Sequence, residues 1–186
     1  SENLTAVSSN SIRTAGEGAY GMYIDSTGPV VIESGTVETV GDDAPGIYVE
    51  NASEVSITSA EVSTSGVRSV GISVDSADKI QINSGSITTE SAESHGLLVT
   101  YGGDATIKAD VITTAGYAAA GLWAHDLGDV TLDIVRVTAS CCAKTLLSPV
   151  ASTASARKDT RRQACVSAPS QSIWSSAPSR PLAIAQ

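Results

Sequence analysis

The sequence predicts an all-β fold: residues 1–140 wind into a right-handed, single-stranded parallel β-helix of about six 25-residue coils, each with three short strands. Three observations carry this expectation. A Gly-led tetrad recurs at a spacing of 25 without insertion: Gly21-Met22-Tyr23-Ile24, Gly46-Ile47-Tyr48-Val49, Gly71-Ile72-Ser73-Val74, Gly96-Leu97-Leu98-Val99 and Gly121-Leu122-Trp123-Ala124. Within each unit apolar residues alternate with polar ones, which is the periodicity of a strand with one buried face. The chain also has no Phe, only two Trp and five Tyr, and is rich in Val, Ile, Ala, Ser, Thr and Gly. Small and β-branched side chains suit a narrow, regular, pleated core.

The remaining parts of the unit keep the same phase. Val30/Ile32, Val55/Ile57, Ile80/Ile82, Ala105/Ile107 and Val130/Leu132 form a second alternating pair, and Val37, Val62, Ile87, Ile112 and Val137 mark a third segment. Val7, Ile12 and Thr14 place the first 20 residues in the same frame. Strands this short cannot bury a face alone, so each must stack on its counterpart in the next unit, giving parallel sheets with right-handed connections. The glycine that opens each tetrad predicts positive φ or close backbone approach. Ser34-Gly35, Ser59-Ala60 and Ser84-Gly85 predict a tight corner between the second and third segments, which is expected to change shape where Asp110 and Val135 replace the small residue.

Charge divides the chain near residue 140. The body carries 19 acidic and 5 basic residues (net −14), and the tail carries one acidic and 6 basic residues (net +5), which sum to the overall −9. An acidic body argues against a nucleic-acid partner and against anionic membrane surfaces. All three cysteines (Cys141, Cys142, Cys165) fall in the tail, so the body holds neither disulfide nor thiol metal site. No apolar run approaches membrane-spanning length. The chain opens on Ser1-Glu2-Asn3, so a signal peptide is expected to lie outside it.

In-register stacking turns each position into a ladder. Thr14, Thr39, Thr64, Thr89 and Thr114 form one, whose hydroxyls are expected to bond along the stack. An ice-binding face would need a second rank of threonines beside it, but that slot reads Arg13, Glu38, Ser63, Thr88, Thr113. Asp25, Glu50 and Asp75 form an acidic ladder, read either as a solvated turn or as a candidate site for a cation such as calcium. Tyr23, Tyr48 and Trp123 are expected to point outward from one strand position, as candidate sugar-stacking rings or as a surface covered by a loop. His95 and His125 occupy different slots, and no nucleophile–base set, paired-His metal site or phosphate-binding loop can be assembled. No catalytic residue and no cofactor is therefore expected.

The unit of Gly-aliphatic-x-Val, short turn, Val-x-Ile and Val-x-Thr resembles the passenger region of Gram-negative bacterial autotransporters over residues 1–140. The resemblance implies an extracellular or cell-surface, non-catalytic stalk or adhesin that meets host or cell-surface glycans or proteins. It also implies a signal peptide and a C-terminal outer-membrane barrel, both expected to lie outside this chain. The alternatives are a β-helix polysaccharide lyase or hydrolase, favoured by the acidic ladder, and a carbohydrate-binding module using the exposed rings. Beyond Ser140 the period fails. Residues 141–186, with four of the six prolines, are expected to be an irregular, disordered basic tail or sequence translated out of frame. End-to-end self-association of the rods is expected from the open strand edges.

Overall fold

A computed structural model describes residues 3–139 of the chain, together with the backbone of Lys144–Leu147 and Cys165–Ser167. Strands alternate between long and short: β1 (Thr5–Ala15), β2 (Met22–Asp25), β3 (Val30–Val40), β4 (Ile47–Glu50), β5 (Glu54–Thr64), β6 (Ile72–Asp75), β7 (Lys79–Thr89), β8 (Leu97–Thr100), β9 (Asp104–Thr114), β10 (Leu122–His125), β11 (Val130–Ala139), β12 (Lys144–Leu147) and β13 (Cys165–Ser167). The odd-numbered strands β1 to β11 form one parallel sheet. The short strands β2 to β10 form a second, which β12 and β13 extend. The body is a parallel β-solenoid of five complete coils plus the long strand of a sixth, and the described residues contain no helix.

Every pairing in the body joins residues 25 apart, such as Ile32↔Ile57 and Ile57↔Ile82. The apolar ladders of the sequence therefore become continuous inward columns. Ile32, Ile57, Ile82 and Ile107 are at most 1% exposed, and Val37, Val62, Ile87 and Ile112 are fully buried. Val137, the next member of the second column, is 41% exposed.

The second and third predicted segments join into one strand of 11 residues. Pairing skips one position at the corner, since Ser34 pairs with Ser59 and Thr36 with Glu61. That single unpaired residue shifts the inward phase. Residues 55, 57 and 59 face the core before the corner, and 62 and 64 after it. The corner was expected to change shape at Asp110 and Val135, but its register is unaltered there: Ala109 still pairs with Ile134 and Val111 with Arg136. The skipped position makes no ladder pair and so does not set the register, although at Gly35 and Gly85 an added Cβ would lie 2.2 Å from the Asn10 carbonyl oxygen and 2.5 Å from that of Ala60.

Two recurrent left-handed residues turn each coil from the second to the fifth. Asp43, Arg68, Glu93 and Ala118 lie in the loop before the short strand, and Asn51, Ser76, Tyr101 and Asp126 follow it, all with φ between 50° and 61°. The tetrad glycines are required for a different reason, the close approach of backbone. A Cβ added to Gly46 would lie 2.6 Å from the Gly71 carbonyl oxygen and 2.6 Å from Val62 Cγ1.

The threonine ladder departs from expectation. Thr39, Thr64, Thr89 and Thr114 are fully buried, and their hydroxyls do not bond along the stack. Each donates within its own coil to the carbonyl five residues on: Thr39 to Ala44, Thr64 to Ser69 and Thr89 to Ser94 at 2.6 Å, Thr114 to Ala119 at 3.5 Å. Inward-facing hydroxyls cannot form an ice-binding surface. They fasten the loop that leads into the next short strand. The expectation for residues 141–186 lies outside the described residues except at β12 and β13. There Trp123 pairs with Leu146, a spacing of 23 (146 − 123) in place of 25.

Candidate functional site

The short-strand sheet carries two outward columns, all of whose members except the buried Ser73 are at least partly exposed. The first reads Tyr23, Tyr48, Ser73, Leu98, Trp123 and the second Asp25, Glu50, Asp75, Thr100, His125, each member paired in register with the next. In a four-residue strand the first and third side chains enter the core, as in Ile47 and Val49, and the second and fourth must face out.

Three tyrosines gather at one end of the first column. Tyr23 and Tyr48 stack with centroids 5.6 Å apart and planes 8° from parallel. Tyr20 stands edge-on to both, at 5.5 and 5.8 Å. Tyr23 is 54% exposed and Tyr20 38%. Glu50 ties the stack down: one carboxylate oxygen accepts from the Tyr23 hydroxyl and the other from the Tyr48 hydroxyl. The hydrogen bond to Glu50 pushes the Tyr23 phenol up to about 12. Burial, aided by the charge of Glu50, does the same for Tyr48.

Trp123 belongs to a separate group, three coils from Tyr48. The His95 ring meets it edge-on at 4.8 Å. His95 Nδ1 accepts the backbone N–H of Ala120 at 3.0 Å. The equivalent loops are also braced between coils one position earlier and in the opposite direction, where Ser69 Oγ accepts from Ala44 N–H and Ser94 Oγ from Ser69 N–H. Burial holds the His95 pKa below its ordinary value, with Glu93 opposing. On the far side of β10, Tyr101, which is 61% exposed, stands edge-on to His125 at 5.9 Å. Two ring pairs therefore flank one strand.

The acidic ladder is formed as expected, with Asp25, Glu50 and Asp75 on consecutive rungs. The hydrogen-bond donors that meet it are neutral. The Asn51 amide donates to Asp25 at 3.0 Å, and the Thr100 hydroxyl donates to Asp75 at 2.8 Å. Acids elsewhere take cationic partners one coil away: Glu38 with Arg13, Asp43 with Arg68 and Glu54 with Lys79. Among the described residues no group of three or more His, Cys, Asp or Glu side chains could hold a metal ion, and no helix is long and apolar enough to cross a membrane. A shallow depression on the long sheet, lined by Ser56, Thr58, Gln81, Asn83, Thr106 and Lys108, lies apart from these columns.

The structure thus brings Tyr23 and Tyr48 together and leaves Trp123 at a distance. Sequence reasoning missed Tyr20, His95 and Tyr101 as ring partners. A signal existed for Tyr20 and His95, since both immediately precede a tetrad glycine and so lie beside the outward slot. In comparisons with known proteins, no family model, no curated protein and no solved structure matches the chain.

Proposed function

We propose that this chain is a portion of a surface-exposed or secreted, autotransporter-type passenger that serves as a stalk or adhesin and performs no chemistry itself. The observation that supports it best is the unbroken 25-residue register from β1 to β11. A solenoid with one continuous core gains length by adding coils, and each coil is stabilised by its neighbours alone. Every outward position becomes a repeated column, which suits multivalent contact more than a single convergent site. A body free of cysteine also suits passage through an oxidising compartment, where thiols cross-link. The lyase or hydrolase reading rests on the acidic ladder, whose carboxylates are occupied by tyrosine, asparagine and threonine donors.

The test is display. Residues 1–140, placed between an export signal and an outer-membrane barrel, should appear on intact Gram-negative cells as a protease-resistant rod and increase adherence to surfaces. Retention inside the cell, or release of reducing ends from polysaccharides by the purified chain, would overturn the proposal.

A further inference from the structure

We infer that the outer face of the short-strand sheet is a binding track for a neutral, linear oligosaccharide lying along the rod axis. The inference rests on the adhesive reading and names its ligand class. A pyranose ring offers an apolar face to an aromatic side chain and a rim of hydroxyls to hydrogen-bonding groups, so a site for it needs both side by side. The two outward columns supply them side by side at three rungs, Tyr23 beside Asp25, Tyr48 beside Glu50 and Trp123 beside His125. Tyr48 and Trp123 stand three strand spacings apart, about 14 Å, with Leu98 between them and Ser73 only 3% exposed. A ligand bridging the two rings therefore meets a small, buried residue at the rung beside Tyr48 and an aliphatic one before Trp123. Asp75 and Thr100 run alongside as hydrogen-bonding groups for sugar hydroxyls, and a strand spacing of about 4.8 Å is close to the length of one sugar unit.

Two further features bear on affinity and selectivity. The Tyr23 and Tyr48 hydroxyls are both held by Glu50, so these rings are fixed before any ligand arrives and binding loses little rotamer freedom. Asp25, Glu50 and Asp75 are met by neutral hydrogen-bond donors, so the track repels a uronic or sialic acid. That charge pattern selects neutral sugars over acidic ones.

The experiment is calorimetric titration of the full purified chain with cellotetraose, chitotetraose and tetragalacturonate. At least one neutral tetrasaccharide should bind, its disaccharide should bind about tenfold more weakly or worse, and tetragalacturonate should not bind. Tyr23→Ala, which removes the ring stacked on Tyr48, and Trp123→Ala should each weaken binding by about tenfold or more. Tyr117→Ala, which removes a ring 71% exposed on the loop before β10, should leave it unchanged. Tyr23 is itself largely exposed, so its variant keeps the test valid should Trp123→Ala fold poorly, which circular dichroism reports. No binding of either neutral tetrasaccharide, equal binding of tetragalacturonate, or an equal loss in Tyr117→Ala would overturn the inference. Adherence of displayed rods without oligosaccharide binding overturns the track while leaving the adhesive function standing.

Discussion

Replacing Thr64 with Val isolates the hydroxyl that fastens a coil's loop to its long strand. The two side chains have nearly the same shape, so the swap creates no cavity and removes one O–H. Thr64 is fully buried, and its Oγ1 donates to the Ser69 carbonyl at 2.6 Å. Ser69 is itself fully buried, so in the variant its carbonyl loses this donor away from water. A net hydrogen bond contributes about 1 kcal/mol, and an unsatisfied buried acceptor costs about 1–3 kcal/mol. The expected destabilisation is therefore about 1–3 kcal/mol. In a chain of this size each kcal/mol lowers Tm by about 2–4 °C. Urea unfolding monitored by circular dichroism gives the global value. Amide hydrogen exchange should show the loss concentrated in residues 65–70. Thr88→Val, on the outward face of β7, is the control and should stay within about 0.5 kcal/mol of wild type. Equal effects at Thr64 and Thr88 would refute the fastening role. Unchanged exchange in the loop would refute it as well.

Ile57→Ala or Ile82→Ala, each at a site 1% exposed, should destabilise by about 2–5 kcal/mol in chemical denaturation, and a value under 1 kcal/mol would contradict the inward register. Ser34 Oγ is buried with no hydrogen-bond partner, so Ser34→Ala should be neutral or stabilising by about 1 kcal/mol, while Ser59→Ala, which breaks a 2.8 Å bond to Ser84, should destabilise. His95 accepts the Ala120 N–H only when neutral, and its folded pKa lies below the unfolded value of about 6.5. Its contribution to stability is thus complete above that pH and is lost as pH falls through the folded pKa. Thermal melts should reveal an acid loss that His95→Asn reduces, and identical pH profiles for the two proteins would count against it. Finally, ultraviolet titration should find Tyr23 ionising near 12, and Glu50→Gln should bring it down more than Tyr48, whose shift owes most to burial; a Tyr23 that does not move would show that Glu50 is not the cause.

The sequence by itself determined the coil length, the inward columns and the order of the ladders. A solenoid translates each residue onto the one 25 positions later, so a one-dimensional period becomes a three-dimensional neighbour list. Ile57 between Ile32 and Ile82, and Glu50 between Asp25 and Asp75, needed no coordinates for that reason. What lay beyond the period was decided by tertiary structure. Thr64 reaches a carbonyl in its own coil because the loop folds back over the strand end, a path that periodicity does not encode. The corner at Asp110 keeps its register because the residue skipped there makes no ladder pair. Gly21, Gly46, Gly71 and Gly96 are demanded by the backbone of the next coil and not by positive φ. Tyr20 and His95 join the outward rings because each loop lies against the neighbouring strand. Such contacts depend on the direction of a side chain in space, and chain spacing alone leaves that direction open.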